Sequence, residues 1–99
     1  MIALAAARDV LVALVEAEFI SKETAAEAIE ALSAVAEVRP DAMTPLIGAS
    51  HKGEVFLSWP SKDQETTIVV YPDGRHECTI ANIEAGEVVE KHVARASPP

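Results

Sequence analysis

The sequence predicts an α+β fold in which an N-terminal helical hairpin precedes a three-stranded antiparallel β-meander. Residues 1–38 contain no glycine or proline and are rich in good helix formers. From residue 54 onward, short segments of β-branched and aromatic residues alternate with turn residues, which is typical of strands. We therefore expect a single domain over residues 1–99, made of a helical hairpin (1–38), a connector (39–53), a β-meander (54–82) and a C-terminal segment (83–96).

The first helix is expected from about Ile2 to Glu18, and its apolar side chains are not confined to one stripe. A helix that is apolar on several sides is usually buried on more than one side, and a chain of 99 residues has little else to cover it. We therefore expect a homodimer with this helix in the interface. The expected interface residues are Leu4, Leu11, Leu14 and Val15.

The second helix is expected from Lys22 to Val38. Ser21 is well placed to cap its first turn, and Pro40 disfavours helix at the residue before it. Apolar residues at helical spacing form one face of this helix. The opposite face carries an acidic stripe made of Glu23, Glu27 and Glu30.

Three strands are expected after the connector, at residues 54–59, 66–71 and 76–82. The segment Tyr71-Pro-Asp-Gly has the composition of a type I turn followed by a left-handed glycine, which gives a three-residue hairpin loop. In that register His76 faces Val70 and Cys78 faces Ile68, on the more apolar side of the hairpin. The tail at residues 85–95 is compatible with a short C-terminal helix.

A histidine and a cysteine two residues apart suggest a metal or nucleophile site, with His51 and His92 as the other candidate ligands. Their spacing matches no common zinc pattern, and a cysteine buried in a strand is a poor nucleophile. The sequence also lacks a glycine-rich phosphate loop, a serine nucleophile elbow and an HExxH motif. We therefore expect no enzyme activity, cofactor or metal. The alternative is a metal-dependent or small enzyme site that uses His76, Cys78 and His92.

Charge and cysteine content restrict the partners. Sixteen acidic and eight basic residues give a formal net charge of −8, which disfavours direct binding of nucleic acid or of an anionic membrane. A single cysteine excludes an intrachain disulfide and suits a reducing, cytoplasmic location. Charged residues interrupt the apolar N-terminal segment, so it is expected to be a soluble helix.

The segment Gly-Glu-x-x-Leu-x-Trp at residues 53–59, followed by Pro-Asp-Gly at residues 72–74, resembles a pattern of small bacterial and phage proteins. The resemblance covers roughly residues 46–86 and leaves the helical hairpin outside. It implies a strand followed by a second hairpin, and it implies no catalytic residue.

Together these features predict a small acidic protein-binding module, a homodimer that acts as an inhibitor or an antitoxin-like or anti-defence regulator of another, basic protein. A structural accessory subunit is a further alternative. Surplus apolar surface on the sheet and the acidic helical stripe motivate the binding prediction, because exposed apolar patches usually mark interfaces. The expected partner-binding residues are Val69, Tyr71, Trp59, Phe56, Glu23, Glu27 and Glu30.

Overall fold

Two helices precede a five-stranded antiparallel sheet in the computed structural model, which describes residues 1–82 and 87–95. The α+β class is confirmed. The strands follow one another in the sheet in chain order, as a meander. The elements are α1 (Leu4–Glu16), α2 (Lys22–Val38), β1 (Leu46–Ala49), β2 (Val55–Pro60), β3 (Gln64–Val70), β4 (Arg75–Asn82) and β5 (Glu87–Arg95).

The bounds of α2 are those the sequence predicts, because both of its ends have local signals. The Ser21 hydroxyl accepts a hydrogen bond from the Thr24 amide at 3.1 Å, as an N-cap does. α1 ends two residues earlier than expected. Its C-terminus closes with hydrogen bonds from the Glu18 amide to Val15 and from the Phe19 amide to Leu14, and Glu18 takes a left-handed φ of 64° where glycine is usual.

The prediction of three strands is wrong, since two further strands flank the predicted meander. β1 lies inside the segment expected to be a connector. β5 occupies much of the C-terminal segment for which a short helix was an option, while residues 83–86 and 96–99 lie outside the described part of the chain. Both segments pair along a neighbouring strand, and pairing of this kind overrides weak local preference.

The β3–β4 hairpin has the predicted register. Val70 pairs with His76 and Ile68 with Cys78, and the Gly74 amide donates to the Tyr71 carbonyl at 3.0 Å. Gly74 has a φ of +88°, the left-handed conformation that the predicted loop requires.

Both helices pack on one side of the sheet, which we call the inner face. It comprises Ile47, Val55, Leu57, Ile68 and Val70, all of which belong to or pack on the buried core. The opposite side, the outer face, comprises the alternate residues of the same strands, because successive side chains of a strand point to opposite faces.

α1 contributes Ala7 and Leu11 to this core, together with the partly buried Leu14 and Val15. Leu11 has no exposed surface, whereas Leu4 is 38% exposed. The face of α1 that the sequence assigns to a dimer interface is thus mostly occupied within the chain, by α2 and the sheet.

Candidate functional site

Three of the predicted partner-binding residues lie together on the outer face. Phe56 pairs with Val69 across β2 and β3, and Tyr71 lies two residues beyond Val69 on the same side of the chain. All three side chains are partly exposed, and both helices pack on the other face. They form an apolar cluster, which we call the outer cluster (Phe56, Val69 and Tyr71).

Two acidic residues and one arginine border the outer cluster. The Tyr71 hydroxyl donates a hydrogen bond to Glu77 Oε2 at 3.2 Å, and the Arg75 guanidinium lies 4.3 Å from the centre of the tyrosine ring. Glu54 lies close enough to influence the ionisation of Tyr71 electrostatically. The cluster therefore combines an apolar centre with a rim that is mainly acidic.

The pKa of Tyr71 is raised above its ordinary value of 10.0, first because burial penalises the phenolate and then because Glu77 repels it and holds the phenolic proton. Arg75 opposes this shift and Glu54 adds to it. Since the folded-state pKa is the higher one, the stabilising contribution of this group is fully present below about pH 10 and is lost as the pH rises through the raised pKa.

We expect Glu77→Gln to lower the pKa of Tyr71, because the substitution removes the negative charge nearest to the phenolate. Tyr71 is the single tyrosine of the chain, so absorbance at the phenolate band reports on it alone. Glu37→Gln on the exposed side of α2 is the matched control and should leave the titration unchanged. A Glu77→Gln titration identical to that of the parent would contradict the contact between Tyr71 and Glu77.

Trp59, by contrast, lies on the inner face with Leu57 and packs against the core. Its indole Nε1 donates to the carbonyl of Met43 at 2.6 Å, which holds the segment before β1 against β2. Trp59 also lines a cavity of about 310 Å³ between α2 and the sheet, with Val35 and Ile68 among its walls. It is therefore separated by the sheet from the outer cluster with which the sequence grouped it.

The predicted acidic stripe is divided by the packing of α2. Glu23 and Glu30 are exposed, but Glu27 points to β4, where its Oε2 lies 3.3 Å from His76 Nε2. The two side chains are only 22% and 20% exposed. Glu27 thus connects the helical layer to the sheet, and a continuous solvated stripe of three carboxylates is not formed.

The residues of the alternative metal site come from neighbouring strands. His76 and Cys78 are two residues apart on β4, and the β4–β5 register pairs Cys78 with His92. His51 is exposed in the turn between β1 and β2, where Gly53 donates to the Ser50 carbonyl. Among the side chains of residues 1–82, no three His, Cys, Asp or Glu are grouped as metal ligands, and the side chain of His92 lies outside those that the structure describes.

One exposed apolar surface was not found from the sequence. Met43 is 74% and Leu46 68% exposed, and Leu46 lines a cleft with α1, where Val10 is 44% exposed. The sequence shows that Val10 lies at helical spacing from alanines of α1. Since β1 was not predicted, it does not show that the edge of a sheet lies beside them.

No protein-family model, curated protein or solved structure matches this chain. The resemblance to small bacterial and phage proteins therefore stays a prediction. Among the residues described, no helix is long and apolar enough to cross a bilayer.

Proposed function

We propose that this chain is a small, acidic, non-enzymatic protein-binding module that acts by covering a surface of another protein. The observation that carries the proposal is the outer cluster, an aromatic and aliphatic patch on a sheet face that neither helix packs against. Partly exposed apolar patches on small proteins mark interaction surfaces. Tyrosine and arginine are also enriched among the residues that dominate binding energy.

The surroundings of the outer cluster define the chemistry of the partner. Glu54 and Glu77 flank the patch, and the chain as a whole carries a net charge of −8. A partner that presents an apolar side chain between lysines or arginines complements this arrangement. Charge complementarity of this kind raises association rates and excludes acidic competitors.

The net charge of −8 favours a partner with a basic surface, and an inhibitor or an antitoxin-like or anti-defence regulator is the form of this function in which such a surface is occluded. We propose that it works in the cytoplasm and as a homodimer. Glu23 and Glu30 remain exposed on α2 and add to the acidic field, while Glu27 contributes less because it faces His76.

The test is affinity capture by the parent chain, Val69→Lys and the matched control Val38→Lys. Val38 is 77% exposed at the end of α2, away from the outer face. A protein captured by the parent and by Val38→Lys is then purified and titrated against all three. We expect Val69→Lys to bind it at least about tenfold more weakly, as loss of a central contact does.

Circular dichroism of the three proteins shows whether Val69→Lys keeps the parent fold. Equal affinity of a folded Val69→Lys and the parent would exclude the outer cluster as the binding surface. A captured protein with an acidic rather than a basic contact surface would exclude the proposed charge complementarity.

A further inference from the structure

β1 forms one edge of the sheet, and its backbone indicates which groups face outward. The Ser50 amide donates to the Glu54 carbonyl at 2.9 Å, so Ser50 directs its backbone groups to β2. Residues of an antiparallel ladder alternate between the two sides of a strand. Ile47 and Ala49 therefore direct their N–H and C=O groups to the open edge.

β1 has only four residues and Pro45 precedes it, which limits the length available for pairing, but charged side chains and bulges, which normally prevent strands from pairing between molecules, are absent from it. β1 has the sequence Leu-Ile-Gly-Ala, and no Asp, Glu, Lys or Arg occurs between Asp41 and Lys52. The opposite edge strand, β5, contains four charged residues, Glu87, Glu90, Lys91 and Arg95. Only the β1 edge is uncharged.

α1 presents a second uncharged surface on the same side of the molecule. Exposed small residues recur along it at spacings of four, three and four, a repeat suited to a close helix–helix seam. β1 lies beside this stripe, since Ala6 and Val10 line a shared cleft with Pro45 and Leu46. The stripe consists of Ala6, Val10 and Ala13 on α1 and of Ala17, which directly follows its last residue.

We propose that two copies of this chain pair through their β1 edges in antiparallel orientation, which gives a continuous ten-stranded sheet with the two α1 helices packed across the junction. This inference rests on the proposed homodimer and specifies its surface. We place Ile47 of one copy opposite Ala49 of the other, because this register uses the outward backbone groups of both residues in both copies. The two-fold axis then passes between the two Gly48 residues.

The charge distribution favours a second copy of the chain as the occupant of this edge. Each chain has a net charge of −8, so two copies repel each other wherever their acidic surfaces meet. At the β1 edge and the α1 stripe they can approach without bringing acidic side chains together. Asp41 precedes β1 and Lys52 follows it. Antiparallel pairing brings the basic end of each strand toward the acidic end of the other.

The outer face at the proposed axis also has room for apolar contact. Gly48 pairs with Phe56, and open space lies where a side chain at Gly48 would begin. Leu46 points to this same face and is 68% exposed. In the dimer each Leu46 covers the space beside Gly48 of the other copy, and the two outer clusters become parts of one surface.

The test is the mass in solution by light scattering at about 10 and about 100 µM, for the parent and three variants. Ala49→Pro removes an outward N–H that the β1–β2 ladder does not use, and Leu46→Lys places a charge at the junction. Val38→Lys is the control, at a site on α2 that is 77% exposed. We expect the parent and the control at twice the chain mass of 10.5 kDa, and both β1 variants at the mass of one chain.

A parent protein that is monomeric at both concentrations would overturn the proposal. So would a dimer that neither β1 variant dissociates, provided that circular dichroism shows both to be folded. Leu46→Lys serves alone if Ala49→Pro fails to fold. Titration of the captured partner distinguishes the failure of the dimer proposal from the failure of the proposed function. If a monomeric parent binds the partner, the dimer proposal is wrong and the proposed function is still supported.

Discussion

Leu11→Glu is expected to unfold the chain, and not merely to change its association state. Leu11 has no exposed surface and lies in the core with Ala7 and Leu32. Removing a buried leucine side chain alone costs about 2–5 kcal/mol, and a buried carboxylate without a cationic partner adds to this loss. Since domains of this size are stable by roughly 5–15 kcal/mol, we expect Leu11→Glu to show no cooperative thermal transition by circular dichroism.

Leu4→Glu is the matched control for Leu11→Glu, because it lies seven residues away on the same helix and is 38% exposed. We expect it to keep the helical signal and a cooperative transition. A folded, monomeric Leu11→Glu protein from a dimeric parent would instead show that the core side of α1 is the interface that the sequence predicts. The β1 edge would then have to be discarded as the dimer surface.

Leu57→Ala is expected to lower the free energy of unfolding by about 3 kcal/mol. Leu57 lies on the inner face of β2, between Ile47 on β1 and Ile68 on β3, and has no exposed surface. Truncation there leaves a cavity that the flanking strands cannot close, because their ladders hold the backbones apart. Urea unfolding followed by the fluorescence of Trp59, the single tryptophan, measures the loss.

The control for Leu57→Ala is Leu4→Ala, the same change at a partly exposed site. It should cost under about 1 kcal/mol, as surface substitutions do. Equal losses for the two variants would mean that β2 is not central to the core. The two helices alone would then have to supply most of the stability.

The sequence was sufficient where the decisive interactions are local. The capping hydroxyl of Ser21 and the proline at position 40 define α2, and the Pro-Asp-Gly turn defines the register of the β3–β4 hairpin. These interactions involve residues only a few positions apart. They can therefore be predicted from the sequence without knowledge of the tertiary structure. The same register placed Val69 and Tyr71 together on one face.

The sequence does not show which alternate residues of β2 face the helices and which face away, and part of the candidate site depends on this. Phe56 and Trp59 are both aromatic residues of β2, but they lie on opposite faces because they are three residues apart. Which of them faces the helices depends on the pairing of β2 with its neighbours. Glu27 is a similar case, since its contact with His76 requires α2 to lie over β4.

By itself, the sequence determined the helical hairpin, the central hairpin and the acidic, single-cysteine character of the chain. Only the tertiary structure showed that β1 and β5 are strands and that an uncharged strand edge lies beside α1. It also showed that Leu11 and Leu14 of α1 pack into the core of the same chain. The physical reason is that an edge strand is stabilised by hydrogen bonds to the adjacent strand, which lies beyond the turn between them. Its own residues, Leu-Ile-Gly-Ala in β1, have too little intrinsic preference to reveal it.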